Sequence, residues 1–120
     1  RKVIGTEIEP TKAAAARANW AEAGLDAFIE LREGDALVTL ADLSGPIDFV
    51  LIDTWIPLAL PALKLLTPRL RTGSIVMCDN VRQFAKAYQP YTDFVRDPSN
   101  GFRSMVWPGR GGTELSVWTR

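Results

Sequence analysis

Two short runs of almost entirely apolar residues constrain the fold of this chain more than any other feature. Ile47–Ile52 (I-D-F-V-L-I) and residues 74–78 (S-I-V-M-C) have the length of strands but lack a regular alternation of apolar and polar residues. Such runs are typical of parallel strands, because helices cover both faces of a parallel sheet. We therefore expect these two runs to be the most buried strands of the protein.

The rest of the chain alternates strand-like and helix-like segments. The predicted strands are residues 2–8, 28–32, 47–52, 74–78, 102–107 and 113–118, and the predicted helices are residues 11–23, 36–43, 58–70 and 81–95, the last broken at Pro90. This order predicts an α/β fold with a mainly parallel sheet. The P-G-R-G-G segment predicts a C-terminal antiparallel hairpin. Residues 1–120 are expected to form a single domain, since no repeat or linker interrupts them.

Composition and charge exclude several classes of function. The sequence has no histidine, which excludes Ser-His-Asp and Cys-His catalysis and the usual zinc sites. Its formal net charge is zero, so nothing in the charge favours nucleic acid or a membrane as a partner. The one cysteine, Cys78, has no partner for an internal disulfide, and no segment looks like a signal peptide or a membrane span. We expect a cytoplasmic protein.

Acidic residues lie at the predicted carboxyl ends of the first two strands, where open α/β sheets bind their ligands. Glu7 ends the first strand, and its carboxylate could accept both hydroxyls of a ribose or could simply face solvent. Gly34, Asp35 and Ala36 follow the second strand. Asp35 could accept a hydrogen bond from an adenine amino group, or it could cap the helix that follows.

The sharper signal is a pair of acidic positions after the two apolar strands. Asp53 follows the first of these strands, and Asp79 and Asn80 follow the second. Neighbouring parallel strands lie about 4.8 Å apart, so these side chains can converge. Two carboxylates and an amide oxygen are hard ligands that suit Mg²⁺. The alternative is that both aspartates only cap turns.

Most of the aromatic residues are expected to serve packing. These are Trp20, Trp107, Trp118, Tyr88 and Tyr91. Trp55 differs, because it lies two residues after Asp53 in a loop at the predicted ligand-binding end. A core role and a ligand-binding role remain open for it.

Several motifs together resemble one family. They are V-I-G-T-E-I-E-P-T-K-A, E-G-D-A-L, D-F-V-L-I-D-T-W, the long block L-L-T-P-R-L-R-T-G-S-I-V-M-C-D-N-V and the final E-L-S-V-W-T. Over essentially all 120 residues, the chain resembles class I S-adenosylmethionine-dependent O-methyltransferases of the metal-dependent catechol/caffeoyl-CoA type. The resemblance implies a Rossmann-like methyltransferase sheet, mainly parallel with a C-terminal antiparallel hairpin, that lacks its first strand.

The resemblance also implies a role for each of these positions. Glu7 would hold the ribose of S-adenosylmethionine, and a second group, Gly34, Asp35, Ala36, Asp53 and Trp55, would complete the cofactor contacts around the adenine. A divalent metal, with Mg²⁺ expected, would be bound by Asp53, Asp79 and Asn80. The metal would chelate adjacent oxygens of a small hydroxylated, catechol-like acceptor and lower the pKa of its hydroxyl.

The sequence departs from the family in two ways. The family usually has a lysine base three residues after the first metal aspartate, where this chain has Ile56. We therefore assign no catalytic residue. The family's first strand and glycine-rich loop (E-x-G-x-x-x-G) are not found in these residues, so we expect a fragment that binds S-adenosylmethionine poorly. A homodimer is expected to cover the two strand edges that the missing strand leaves unpaired.

Two other functions stay open at this stage. A nicotinamide dinucleotide-binding domain also places an acidic residue after its second strand. A noncatalytic α/β module would keep the fold without the cofactor, and Ile56 favours it.

Overall fold

The structure is a computed structural model that describes residues 2–120. In this part of the chain the elements are β1 (Val3–Glu7), α1 (Pro10–Glu22), β2 (Ile29–Glu33), α2 (Ala36–Thr39), β3 (Ile47–Ile52), α3 (Ile56–Leu66), β4 (Leu70–Cys78), α4 (Ala85–Arg96), β5 (Phe102–Trp107) and β6 (Thr113–Trp118). The chain divides into two compact units, Arg1–Leu43 and Ser44–Arg120.

The first unit is one β–α–β motif followed by a short helix. β1 and β2 pair in parallel, from Val3 opposite Ile29 to Glu7 opposite Glu33. Pro10 starts α1, as its fixed φ favours the first turn of a helix. Trp20 lies against Gly5 of β1, where an added Cβ would be 3.7 Å from its ring. The predicted packing role of Trp20 is confirmed.

The second unit contains a four-stranded sheet in the order β3-β4-β6-β5. β3 and β4 are parallel, whereas β6 is antiparallel to both β4 and β5. The two units together contain parallel pairs joined by helices and a C-terminal antiparallel hairpin. The predicted α/β fold is confirmed.

One face of this sheet carries the core of the second unit. The buried residues of the strands are Val50, Ile52, Ser74, Val76, Cys78, Phe102, Glu114 and Ser116. Helices α3 and α4 contribute Ala59, Ala62, Leu63, Leu66, Tyr88, Tyr91, Thr92 and Val95. Trp118 packs edge-on against Phe102 with ring centroids 4.9 Å apart, so its predicted packing role is also confirmed.

The opposite face of the sheet is open, which corrects a prediction. Phe49 and Leu51 of β3 are 54% and 60% exposed, and Ile75 of β4 is 38% exposed. The two apolar runs are therefore buried on one face only, because the described helices of this unit cover only that face. Trp107 is also exposed, so the packing role predicted for it is wrong.

The boundaries of three helices, α2, α3 and α4, differ from the predicted ones, and α3 ends at Leu66 rather than at residue 70. α2 ends at Thr39 rather than at residue 43, and α3 begins at Ile56, with Pro57 in its first turn. α4 begins at Ala85 and continues through Pro90 without the predicted break. Pro90 is exposed, and its neighbours Tyr88 and Tyr91 are buried, so packing on the opposite side holds the helix together. Within residues 2–120, no helix is long and apolar enough to cross a membrane.

Candidate functional site

In the first unit, Glu7 and the Gly34 loop meet at the carboxyl end of the two-stranded sheet. The backbone N–H of Gly34 donates to the carbonyl oxygen of Glu7 at 3.0 Å. The Glu7 side chain is half-buried, and its Oε1 accepts from the backbone N–H of Glu9 at 3.1 Å. The parallel register thus brings together two of the predicted cofactor-binding segments, and the second carboxylate oxygen of Glu7 is the one left for a ligand.

The turn after β2 depends on a glycine. Gly34 has a φ of +125°, and an added Cβ would lie 3.2 Å from Cγ2 of Thr39. Asp35 then caps α2, since its Oδ1 accepts from the backbone N–H of Leu37 at 2.9 Å. Capping is therefore the role that the structure shows for Asp35. Ala36 is the first residue of α2 and is half-buried.

In the second unit, the register of β3 and β4 places Asp53 and Asp79 side by side. The two strands are parallel and end with Ile52 opposite Cys78, so the next residue of each strand leaves the sheet at the same end. Adjacent strands are about 4.8 Å apart, which is within the reach of two carboxylates around one cation. The two aspartates lie at one end of the sheet, as the sequence predicted.

The turn from the end of β4 into Val81 is fixed by the β5–β6 hairpin. Oδ1 of Asp79 accepts from the backbone N–H of Asn80 at 2.8 Å and from the hydroxyl of Thr113 at 2.9 Å. Asn80 has a φ of +64°, a left-handed conformation that asparagine tolerates better than most residues. Its Oδ1 lies 2.7 Å from the position that a Cβ on Gly111 would occupy. The N–H groups of Arg82 and Gln83 both donate to the Gly111 carbonyl.

The carboxylate and amide oxygen atoms near this turn are of the kind that binds a hard cation. Both donors to Asp79 use Oδ1, so Oδ2 is the oxygen left for a cation. Asp53 is exposed, and Asn80 supplies an amide oxygen. Across residues 2–120 there is no cluster of three or more His, Cys, Asp or Glu side chains arranged to hold a metal, in keeping with a set that has only two carboxylates. Trp55 is 76% exposed just before α3 and is therefore not a core residue.

A buried polar cluster lies under this end of the sheet. The pKa of the Cys78 thiol is raised to about 12, mainly by burial; a hydrogen bond with Tyr88 acts in the opposite direction, and the negative charges of Asp79, Glu114 and Asp53 act in the same direction as burial. The pKa of Tyr88 is raised to about 12, again mainly by burial. Cys78 is thus an unreactive core residue, as the sequence predicted.

Glu114 is the residue of this cluster that the sequence interpretation missed. Its side chain is fully buried, and it is paired with Arg96 through two hydrogen bonds of 2.8 and 2.7 Å and with the Ser104 hydroxyl at 2.9 Å. The sequence of β6 contains a pattern that could have indicated the burial of Glu114. In E-L-S-V-W the polar residues alternate with apolar ones, and here the polar side chains of Glu114 and Ser116 point to the covered face.

Residues 1–81 match the family model described as a methyltransferase domain. The chain belongs to this methyltransferase family. The family resemblance inferred from the sequence is therefore confirmed. No curated protein matches the chain significantly.

Solved structures of O-methyltransferases share the fold of this family member. A putative O-methyltransferase from Klebsiella pneumoniae superposes with a TM-score of 0.90 at 22% identity, over 99% of this chain and 62% of that one. TomG from Streptomyces achromogenes, in complex with SAM, superposes with a TM-score of 0.86 at 21% identity, over 99% of this chain and 62% of that one. The Bacillus cereus O-methyltransferase, in complex with SAH, superposes with a TM-score of 0.85 at 20% identity, over 98% of this chain and 63% of that one. The methyltransferase chain thus spans less than two thirds of the length of these structures.

Proposed function

We propose that this methyltransferase chain takes part in S-adenosylmethionine-dependent O-methyl transfer to a small hydroxylated, catechol-like acceptor in the cytoplasm. One observation carries the proposal: each of the four parallel strands has an acidic residue at its carboxyl end or within two residues after it. These residues are Glu7, Asp35, Asp53 and Asp79. Ligands of open α/β sheets bind at that end of the strands.

The first unit supplies the proposed cofactor contacts. The cofactor carries the methyl group on a sulfonium, which makes the group susceptible to attack by an acceptor oxygen. The carboxylate of Glu7 would accept hydrogen bonds from the ribose hydroxyls. The backbone at Gly34 allows a flat base to come close, and Asp35 and Ala36 would line the adenine position. The family resemblance also predicts cofactor contacts for Asp53 and Trp55, which belong to the second unit.

The second unit supplies the proposed metal ligands. Asp53, Asp79 and Asn80 would hold Mg²⁺, whose positive charge would lower the pKa of an acceptor hydroxyl. The hydrogen bond from Thr113 would keep Asp79 in one orientation, a supporting role that metal-binding carboxylates commonly need. No residue is assigned as a general base, because Ile56 occupies the position at which the resembling enzymes carry lysine.

The cofactor part of this proposal is tested best by residue-specific NMR. The family's glycine-rich loop is not found in the 120 residues, so binding is expected in the millimolar range, which calorimetry would miss. Titration with S-adenosylhomocysteine should shift the backbone amides of Glu7 and of residues 34–37. The Glu7→Gln variant should lose these shifts, whereas Glu22→Gln on the exposed side of α1 should keep them.

Two results would contradict the cofactor assignment. Shifts of the same amides by NAD at a lower concentration than by S-adenosylhomocysteine would favour a dinucleotide-binding domain. No shift with either ligand at millimolar concentration would favour a noncatalytic module, the second candidate function. The observation that favours this second candidate is Ile56 in place of a basic residue.

A further inference from the structure

A groove runs between helix α4 and the outermost strand β5, where Val106 forms part of its wall. Its volume is about 530 Å³, which is in the range of small-molecule sites. One end of the groove is formed by Arg82, which comes just after the turn of Asp79 and Asn80. The other end is formed by Arg96, the last residue of α4. The groove therefore begins next to the proposed metal ligands and extends away from them.

The β5–β6 hairpin holds the base of Arg82 in place and leaves its charge free. The backbone N–H of Arg82 donates to the carbonyl oxygen of Gly111 at 2.9 Å. The Cβ, Cγ and Cδ atoms of its side chain pack on Gly112, so closely that a Cβ on this glycine would clash with them. Within residues 2–120, the guanidinium donates no hydrogen bond and joins no ion pair. An arginine fixed in this way can bind an oxyanion through two parallel hydrogen bonds.

The charge of the groove changes along its length. Lys86 lies four residues after Arg82 and also has no ion pair in the part of the chain that the structure describes. At the far end, Arg96 is paired with the buried Glu114, and Asp93 adds a negative charge. The positive excess therefore lies at the end next to the proposed metal ligands. Asp93 offsets one of the two unpaired cations, so the groove suits a singly charged carboxylate better than a doubly charged phosphate.

We propose that this end of the groove binds a carboxylate of the acceptor, with Arg82 as the main contact and Lys86 as the second. The inference rests on the proposed function, which places the acceptor hydroxyls at Asp79 and Asn80. Arg82 is two residues after Asn80, and this separation is at most about 7 Å between Cα atoms. A substituent on the ring of a catechol held at these residues is therefore within reach of the guanidinium. The acceptor class is a hydroxylated aromatic acid rather than a neutral catechol.

The test compares two ligands of similar shape by NMR titration of the chain in the presence of Mg²⁺. Protocatechuate is a catechol with a carboxylate on its ring, and methylcatechol has a neutral methyl group instead. Protocatechuate should bind about fivefold more tightly, the upper end for an exposed ion pair. In Arg82→Gln, which keeps the side-chain carbons that pack on Gly112, the two ligands should bind equally. The control Arg103→Gln removes an exposed arginine from the other side of β5 and should keep the preference.

Benzoate separates a failure of this inference from a failure of the proposed function. It has the carboxylate but no hydroxyl group, and without Mg²⁺ it should shift the amides of residues 82–86 in the wild type but not in Arg82→Gln. If benzoate at millimolar concentration shifts none of these amides, or if methylcatechol binds as tightly as protocatechuate, the carboxylate site is wrong. If benzoate binds but neither catechol shifts the amides of Asp79 and Asn80, the carboxylate site is supported and the proposed function is the part that fails.

Discussion

Arg96 in α4 holds the fully buried carboxylate of Glu114 in β6 through two hydrogen bonds. The Arg96 side chain is 48% exposed, so one partner of this ion pair is in the core and the other reaches solvent. The nearby carboxylate raises the pKa of the guanidinium above its already high value. The pair ties helix α4 to the hairpin.

Removing the arginine from this pair should destabilise the protein. Arg96→Met leaves Glu114 buried without its charge partner. Loss of one partner from a buried ion pair costs about 3–5 kcal/mol, and the partial exposure of Arg96 reduces the expected loss to about 2 kcal/mol. Urea unfolding would measure it. The exposed Arg103→Met variant is the control and should change the free energy of unfolding by less than about 0.5 kcal/mol. Equal losses in the two variants would show that the pair has no special role.

Two glycines in the β5–β6 turn provide a matched comparison. Gly111 has a φ of +85°, and its added Cβ would lie 2.7 Å from Oδ1 of Asn80, whereas a Cβ on Gly109 would meet no atom within 4 Å. Gly111→Ala should therefore lower the free energy of unfolding by about 1–3 kcal/mol and shift the Asn80 side-chain NMR signals. Gly109→Ala should be neutral or slightly stabilising. If the two alanine variants have the same stability, the packing of Asn80 on Gly111 is not important.

The proposed metal ligands can be tested without an acceptor. Mn²⁺ should broaden the NMR signals of Asp53, Asp79 and Asn80 before those of other residues, because paramagnetic relaxation falls steeply with distance. Asp53→Asn should weaken this effect severalfold by removing one of the two charges. The control is Asp48→Asn, since Asp48 also lies in β3 but is paired with Arg71. Broadening that survives in Asp53→Asn, or that is lost equally in Asp48→Asn, would contradict the assignment.

Alkaline pH should destabilise the fold through Cys78. Its pKa is about 12 in the folded protein against a reference value of 9.0, so above pH 9 the unfolded chain releases a proton that the folded chain keeps. The stabilising contribution of the neutral thiol is complete below pH 9 and is lost as the pH rises towards 12. The free energy of unfolding should fall more steeply between pH 9 and 10.5 in the wild type than in Cys78→Ala. Parallel curves for the two proteins would contradict this.

Much of the fold could be predicted from the sequence because local signals and packing agree. The β3, β5 and β6 strands have the predicted bounds, since apolar runs and turn residues such as Gly111 and Gly112 define them from both sides. The acidic strand ends were predictable for the same reason, because a parallel register follows from the strand–helix order. Asp35 was left open between capping and ligand binding; the structure shows the capping hydrogen bond, and ligand binding stays a prediction.

Other features depend on which elements meet in three dimensions. An apolar run such as Ile47–Ile52 shows that both faces of a strand are apolar but not that both are covered, so the exposure of Phe49 and Leu51 was missed. Pro90 was expected to break α4, yet helix packing at Tyr88 and Tyr91 outweighs the loss of one hydrogen bond. The burial of Glu114 requires Arg96, 18 positions earlier in the chain, and no local pattern connects the two.

The hydrogen bond between Thr113 and Asp79 has a consequence for synthesis of the protein. Thr113 is translated 34 positions after Asp79, so the aspartate leaves the ribosome well before the residue that orients it. The carbonyls of Gly111 and Gly112, which accept the N–H groups of residues 81–83, arrive equally late. The turn that carries Asp79 and Asn80 therefore cannot take its final conformation until the hairpin has emerged, and a nascent chain that stalls before the hairpin would present these acidic side chains without their fixed arrangement.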